Sequence, residues 1–295
     1  MRPEIKLSII MPRIGKRDYF VRLLNMRYLI TINDSSPDLV IYDDLSRQQI
    51  PVYKNKPIRI AFTGESKDID YGKCNMALCF DENHPKSYYL PLWVIFIDWF
   101  NTQDPNLCKL TAIITRPNIL EPFSRELFCG FIASNSVPYR DNFVKLLSRY
   151  KKVSCPGKCL HNFPQIGGIM GPEKELFLRH CKFSIAFENC SHPGYITEKL
   201  LHAFQSRTIP IYWGAKSVSQ YFNPKAFLNL ANYDSPEELV TDIIYLDNDP
   251  IAYKEMLNQP VFINDFIPEQ FLPNKVLDGI EKILINSNGR KILDE

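Results

Sequence analysis

The stretch FSIAFENCSHPGYITEKLLHAFQSRTIPIYWG, residues 183–214, has the most informative pattern in the chain. Residues 183–187 and 209–213 are short apolar runs typical of buried strands, and residues 195–205 between them have apolar side chains at helical spacing. A strand, a helix and a second strand in this order form a βαβ unit, whose crossover is almost always right-handed. The pattern therefore predicts a parallel sheet. The loop before the helix should lie at its carboxyl edge, where open α/β folds bind ligands.

Polar residues occupy the predicted start of this helix, where Thr197, Glu198 and Lys199 follow one another. The free backbone N–H groups of a helix N-terminus attract anions, and the charge of Lys199 suits a phosphate. The carboxylate of Glu198 could accept hydrogen bonds from sugar hydroxyls. Thr197 and Glu198 are also ordinary capping residues, so the spacing alone leaves phosphate binding and simple capping open.

The same segment, FENCSHPGYITEKLLHAFQSRTIPIYWG, resembles the donor-binding signature of the α-1,3/4-fucosyltransferases, which has the pattern FEN…Y-x-TEK…(V/I)P(V/I)…G. Residues 217–218 and 222–227 are also similar to bacterial members. The resemblance implies a GT-B-like α/β fold, in which two Rossmann-like domains with mostly parallel sheets face each other across a cleft. It also implies that the donor is GDP-fucose. The residues that would bind the donor are Glu188, Asn189, Tyr195, Glu198 and Lys199.

The rest of the chain alternates short apolar runs with intervals long enough for helices, which is typical of parallel sheets covered on both faces. Strands are predicted at residues 6–11, 28–33, 39–42, 58–62, 76–80, 131–134 and 227–230. Helices are predicted at 19–27, 140–150, 173–181 and 274–286, with another starting at 234–238. We expect an N-terminal acceptor-binding domain (1–116), a linker (117–128), a C-terminal GDP-fucose-binding domain (129–273), and a C-terminal helix and tail (274–295).

A carboxylate follows the predicted strand 58–62, in the sequence Thr63-Gly64-Glu65-Ser66. Gly64 permits a tight turn that would lift Glu65 out of the sheet. A glutamate in that position can act as a general base, or it can be a solvated turn residue. The segment resembles the TGE segment that carries the proposed catalytic base in bacterial fucosyltransferases, which implies that Glu65 is the base.

A second donor-binding segment is indicated at residues 134–140, SNSVPYR, which resembles the family's SN…R segment. The resemblance places Arg140 on the donor diphosphate, with Asn135 nearby. Arginine suits this task because its planar guanidinium offers paired N–H donors to phosphate oxygens. A cation at a helix start is otherwise unfavourable, because the helix dipole repels it, and this favours a functional role.

These resemblances imply an inverting enzyme that moves L-fucose from GDP-β-L-fucose to a GlcNAc-containing glycan, with an α-1,3 linkage of the kind found in Lewis antigens. Glu65 would take the proton of the acceptor hydroxyl, while Arg140 and Lys199 would stabilise the leaving diphosphate. Two alternatives remain open. One is a non-catalytic module that binds a nucleotide sugar or a glycan, and the other is a GT-B transferase with a different nucleotide-sugar donor.

Composition limits the class of protein. The 295 residues are 45% hydrophobic, enough for a large core, and the net charge of +2 does not indicate a nucleic-acid binder. The N-terminus lacks a secretory apolar core and no apolar run is long enough to cross a bilayer. We therefore expect a cytoplasmic protein with reduced cysteines, for which a peripheral membrane contact and the oligomeric state are open.

Three sequence features could indicate a metal. Asp68-Ile69-Asp70 and Asp247-Asn248-Asp249 both match the DxD motif of metal-dependent glycosyltransferases, but neither follows a strand beside the donor signature. Cys155, Cys159 and His161 resemble part of a zinc site, without the second pair of ligands that would complete it. Because Arg140 and Lys199 could neutralise the phosphates, we expect neither a metal nor a cofactor.

Overall fold

The structure, a computed structural model, describes residues 2–11, 14–43, 50–100, 125–167 and 172–286. Within these residues the chain divides into two compact units. The first unit contains the residues up to 100, Pro193–Tyr195, and those from Pro268 onward. The second unit contains the residues from 125 to His192 and Ile196–Ile267.

Both units are α/β. The described strands are β1 (Glu4–Ile10), β2 (Leu29–Ile32), β3 (Leu39–Asp43), β4 (Ile58–Phe62), β5 (Met76–Cys79), β6 (Ser87–Tyr89), β7 (Leu127–Gly130), β8 (Val153–Ser154), β9 (Cys181–Phe187), β10 (Ile209–Trp213) and β11 (Leu228–Asn229). The described helices are α1 (Ile14–Asn25), α2 (Pro138–Leu147), α3 (Pro172–Arg179), α4 (Glu198–Gln205), α5 (Pro236–Asn248), α6 (Pro250–Leu257) and α7 (Pro273–Asn286). The expected α/β class with mostly parallel sheets is confirmed.

The two sheets share one strand order. The first is β2-β1-β3-β4-β5-β6 and the second is β8-β7-β9-β10-β11, and every pairing between these described strands is parallel. In both, the first strand in sequence pairs with the second strand on one side and with the third on the other. The strand order therefore reverses between β1 and β3 in the first unit and between β7 and β9 in the second. Doubly wound sheets bind ligands at the carboxyl ends of strands at such a point.

Burial explains why the sequence predicted the central strands well. Every residue of β3 and β5 is buried, and so are all but one residue of β4 and β10. Strands covered on both faces have continuous apolar runs, which turn residues then interrupt. The bounds predicted for Ile58–Phe62 and Ile209–Trp213 are confirmed without change.

Helix α5 begins as its sequence predicted. Ser235 is the N-cap and its hydroxyl accepts a hydrogen bond from the backbone N–H of Glu238 at 3.2 Å. The Glu238 carboxylate accepts one from the N–H of Asp234 at 3.0 Å, so two donors at the helix start are satisfied together. Asp249 caps the next helix, α6, and Pro250 is its first residue.

The C-terminal helix α7 belongs to the first unit, where it contacts α1. The Arg27 guanidinium lies 2.6 Å from a carboxylate oxygen of Glu281 and 2.8 Å from one of Asp278. The Tyr28 hydroxyl donates to the other oxygen of Glu281 at 2.6 Å. These bonds connect the two ends of the described chain within one unit. None of the described helices has the length and apolar character needed to cross a bilayer.

Some sequence predictions were wrong. The strand predicted at residues 131–134 lies at Leu127–Gly130, and the short strands β6 and β8 were not predicted. Of the predicted linker, residues 117–124 lie outside the described residues, and Leu127 and Phe128 are part of β7. The domain boundaries expected from the sequence stay a prediction.

Candidate active site

The polar residues singled out in the second unit follow the carboxyl ends of β7 and β9, on both sides of the point where the strand order reverses. β9 ends at Phe187, so Glu188 and Asn189 leave the sheet there. Arg140 is in the first turn of α2, the helix that follows β7. Thr197 is the N-cap of α4. The fold therefore places two helix N-termini and two strand ends at the edge where such sheets bind ligands.

Glu188 is fully buried and holds the start of α4. One of its carboxylate oxygens accepts from the backbone N–H of Thr197 at 2.7 Å, and the other from the Thr197 hydroxyl at 2.7 Å. The second oxygen also lies 3.1 Å from the Lys199 ammonium. Burial raises the pKa of Glu188, while Lys199 and the Thr197 donors oppose that shift. Through these contacts Glu188 stabilises the start of α4. A contact between Glu188 and the donor stays a prediction.

Lys199 is the cation of this cluster. Its ammonium donates to Glu188 and, at 2.9 Å, to the Thr197 hydroxyl, and 21% of its side chain is exposed. Burial lowers the pKa of Lys199, but the carboxylates of Glu188 and Glu198 outweigh it, so the pKa lies above its ordinary value. Lys199 is therefore charged at neutral pH and fixed in position before any ligand binds.

Glu198, the first residue of α4, is buried as well. Burial raises its pKa, but the positive charges of Lys199 and Lys174 outweigh that effect and hold the pKa of Glu198 at about 2. A buried carboxylate that stays ionised is an available acceptor for sugar hydroxyls. This arrangement fits the predicted role of Glu198.

Arg140 connects the two sides of the site. It is only 3% exposed, and its guanidinium donates to the Asn189 side-chain oxygen at 2.8 Å and to the Asn135 backbone oxygen at 2.7 Å. Asn189 follows β9, whereas Asn135 and Arg140 follow β7, so these bonds span the point of strand reversal. Arg140 and Lys199 line one small cavity. The structure thus brings together the predicted residues Arg140, Asn135, Asn189 and Lys199.

Two other predicted residues, Glu65 and Tyr195, belong to the first unit. Glu65 lies in the turn after β4 and is partly exposed, and its backbone N–H donates to the Thr63 hydroxyl at 3.2 Å. The φ of Gly64 is not positive, so the turn after β4 does not need the left-handed backbone conformation at this residue. A Cβ on Gly64 would instead lie 2.5 Å from the Leu92 side chain, so close packing of the turn is what requires glycine.

Tyr195 is buried, with its ring edge against the Phe80 ring at a centroid distance of 5.6 Å. The preceding Gly194 has a φ of 71°, and its carbonyl accepts from the Tyr89 hydroxyl at 3.1 Å. A Cβ on Gly194 would lie 2.2 Å from the Phe80 backbone oxygen. The position of Tyr195 therefore depends on a conformation that only glycine adopts easily.

Replacing Gly194 by alanine is expected to destabilise the first unit, because left-handed backbone strain of about 1–3 kcal/mol adds to the overlap with Phe80. Calorimetry should show the transition of the affected unit at a lower temperature. Gly72→Ala is the matched control, since the φ of Gly72 is not positive and the nearest atom to its added Cβ is a side-chain oxygen of Asp70 at 3.1 Å. Equal stability of the two variants would contradict the argument.

The cysteine and histidine group has ordinary structural contacts. The Cys159 thiol donates to an Asp141 carboxylate oxygen at 3.2 Å, and the Cys155 thiol donates to the Val153 backbone oxygen at 3.6 Å. Burial raises the pKa of both thiols to about 11. His161 Nδ1 lies 3.0 Å from the Gly157 backbone oxygen. Among the described residues, no group of three or more His, Cys, Asp or Glu could hold a metal.

Three of the four aspartates in the two DxD motifs have other partners. Asp70 pairs with Lys73 at 2.8 Å. The Asp247 side chain is almost fully buried and accepts from Lys151, Lys182 and the Tyr150 hydroxyl. Asp249 caps α6. These contacts give the three carboxylates structural roles, and the absence of a metal requirement stays a prediction.

Comparison with known proteins covers both units. The family model described as the C-terminal region of glycosyltransferase family 10 (fucosyltransferase) matches residues 125–258. The model of the N-terminal domain of the α-(1,3)-fucosyltransferase FucT matches residues 11–99. The second match includes Glu65, and the first includes the other predicted site residues.

The individual proteins to which the chain is similar also include fucosyltransferases. The chain is 30% identical to an α-(1,3)-fucosyltransferase FucT of Helicobacter pylori, over 93% of this chain and 60% of that relative. The chain is also similar to a crystal structure of α1,3-fucosyltransferase with GDP-fucose, with a TM-score of 0.75, 25% identity, and coverage of 98% of this chain and 92% of the other. A structure of Anabaena HepE in complex with UDP-glucose shares only the fold, with a TM-score of 0.50, 8% identity, and coverage of 95% and 98%.

Proposed function

The chain belongs to the glycosyltransferase family 10 fucosyltransferases, and on that premise we propose that it transfers L-fucose from GDP-β-L-fucose to a GlcNAc-containing glycan. One observation in the structure carries the proposal. Glu188 and Thr197 hold the charged ammonium of Lys199 at the N-terminus of α4. Arg140, at the N-terminus of α2, lines the same small cavity. Two fixed cations and two helix N-termini suit a diphosphate.

In the proposed reaction the acceptor hydroxyl attacks the anomeric carbon of fucose and the configuration inverts. Glu65 removes the proton of that hydroxyl, and the bond between the anomeric carbon and the phosphate oxygen breaks, so that GDP leaves. The sugar becomes oxocarbenium-like and negative charge grows on the diphosphate. Lys199 and Arg140 stabilise this charge, since hydrogen bonds already hold both.

The remaining site residues are proposed to contact the sugar and the nucleotide of the donor. We propose that Glu198 accepts hydrogen bonds from hydroxyls of the donor, because Lys199 and Lys174 keep it ionised. Asn189, Asn135 and Tyr195 are proposed to contact the donor as well. The proposed linkage is α-1,3, as in the name of the Helicobacter pylori relative. The Lewis-type product, the cytoplasmic location and the independence from metal stay predictions.

The test is incubation with GDP-fucose and N-acetyllactosamine, with GDP release measured and the product linkage determined by NMR. The proposal expects GDP release coupled to one fucosylated product, and equal activity with EDTA present. Donor binding without turnover would favour a non-catalytic module. A larger thermal shift with UDP than with GDP would contradict the GDP-fucose donor, since HepE shows that a similar fold binds UDP-glucose.

A further inference from the structure

A buried lysine, Lys174, lies next to the proposed donor site and has no proposed contact with the donor. It is in the first turn of α3 and is 7% exposed. Its ammonium lies 3.1 Å from Nδ1 of His202, which is one helical turn after Glu198 on α4. Glu198 and His202 therefore share one face of α4, and Lys174 lies against that face.

Lys174 belongs to a cluster of charged side chains at the proposed donor site. Lys174, Arg140 and Lys199 line the same cavity of about 10 Å³, together with Ser184 of β9. The groups that interact electrostatically in this cluster come from four elements: Arg140 of α2, Lys174 of α3, Glu188 after β9, and Glu198, Lys199 and His202 of α4. Three cations thus face two carboxylates. A buried carboxylate without its cation is strongly destabilising, so the number of cations matters.

The contact between Lys174 and His202 fixes the proton positions. When Lys174 is charged its ammonium can only donate, so Nδ1 of His202 is then the acceptor and the proton of the neutral ring is on Nε2. Burial and the Lys174 charge lower the pKa of His202 to about 3, so this histidine is neutral at physiological pH. Burial also lowers the pKa of Lys174, while the Glu198 carboxylate opposes that change.

We propose that Lys174 and His202 are positioning residues of the donor site, in which charged Lys174 donates to neutral His202 and compensates the buried carboxylate of Glu198. This proposal rests on the proposed binding of GDP-fucose. The pair fixes the position of the α4 face that carries Glu198. The positive charge of Lys174, together with that of Lys199, compensates the Glu198 carboxylate. Neither Lys174 nor His202 needs to touch the donor.

A distinctive pH dependence follows. Without Lys174 the site has one cation fewer, and one of the two effects that lower the pKa of His202 is gone, while burial remains. His202 then binds a proton more readily, and its positive charge partly replaces the missing ammonium. The ratio of wild-type to Lys174→Met affinity for GDP should therefore be largest at pH 8 and should shrink towards pH 5.5. Taking the ratio cancels the titration of GDP itself.

The first experiment is calorimetric titration of GDP into the full chain and its variants from pH 5.5 to 8. Lys174→Met, which keeps the length of the side chain, should bind GDP about 10–100-fold more weakly at pH 8, the range for hydrogen bonds to charged groups. Lys174→Arg should recover part of the affinity. Lys158→Met, at an exposed lysine, is the control and should match the wild type. An unchanged affinity in Lys174→Met, or a ratio that does not vary with pH, would overturn the proposal.

The second experiment needs neither nucleotide nor activity. Two-bond ¹H–¹⁵N correlation spectra of the five histidine rings report their tautomers, and His202→Asn identifies the His202 signals by their loss. The wild-type signal should show the proton on Nε2 and no titration above pH 5, and Lys174→Met should raise the pKa of His202. A proton on Nδ1, or a pKa that Lys174→Met leaves unchanged, would overturn the pair. Failure of the wild type to bind GDP would instead overturn the proposed function.

Discussion

Replacing Glu65 by glutamine is expected to lower the rate of fucose transfer by about 10²–10⁴-fold, the usual contribution of a general base. Glutamine keeps the size of the side chain but cannot accept the proton of the acceptor hydroxyl. Glu65 is proposed to act on the acceptor hydroxyl and not on the diphosphate, so the affinity for GDP should not change. Steady-state kinetics with saturating donor would measure the first effect, and calorimetric titration of GDP the second.

Asp68→Asn is the matched control for this substitution. Asp68 is exposed, follows Glu65 by three residues, and is the first aspartate of a DxD motif. The same change from carboxylate to amide should leave turnover near the wild-type value, because Asp68 has no role in the proposed reaction. Near-normal turnover of Glu65→Gln would show that another group takes the proton. Loss of activity in Asp68→Asn would contradict the reaction without metal.

The sequence predicted elements well where burial on both faces coincided with clear turn residues. β10 is an example, because it is an apolar run from end to end, and β4 is another, in which only Arg59 interrupts the apolar residues. The strand predicted at residues 131–134 was wrong for a physical reason. Phe131 and Ala133 are buried and their neighbours are less so, an alternation typical of a strand, but these residues follow the end of β7. Very short strands such as β8 leave too few residues for any pattern.

Part of the candidate site could be predicted because its residues lie within one short stretch of the sequence. Residues that lie close together in sequence, such as Glu188 and Lys199, carry a local pattern and a family resemblance. Lys174 has no such signal, because its role depends on α3 packing against α4, which brings it to His202. A lysine on an amphipathic helix is solvated in most proteins, so only the fold reveals that this one is buried.

Replacing Lys199 by methionine is expected to weaken GDP binding about 10²–10³-fold and to destabilise the second unit. The loss of affinity follows from removing a charged donor to the diphosphate, an effect comparable to losing one donor of an oxyanion hole. It should also make binding less dependent on salt, because one charge contact is gone. The loss of stability follows from Glu188, which would stay buried without its cation, a change that costs about 3–5 kcal/mol in buried pairs.

The double variant Lys199→Met/Glu188→Gln separates these two effects. With both charges removed, the second unit should recover most of its stability, whereas GDP affinity should stay low. Burial and the loss of Lys199 both raise the pKa of Glu188 in the folded chain. A carboxyl with a raised folded pKa stabilises below its unfolded pKa, and this stability is lost as the pH rises through the folded pKa. Lys199→Met should therefore lose stability relative to the wild type as the pH rises from 5 to 8, and the double variant should not. If the double variant recovered GDP affinity along with stability, Lys199 would serve only to neutralise Glu188, and its phosphate role would be wrong.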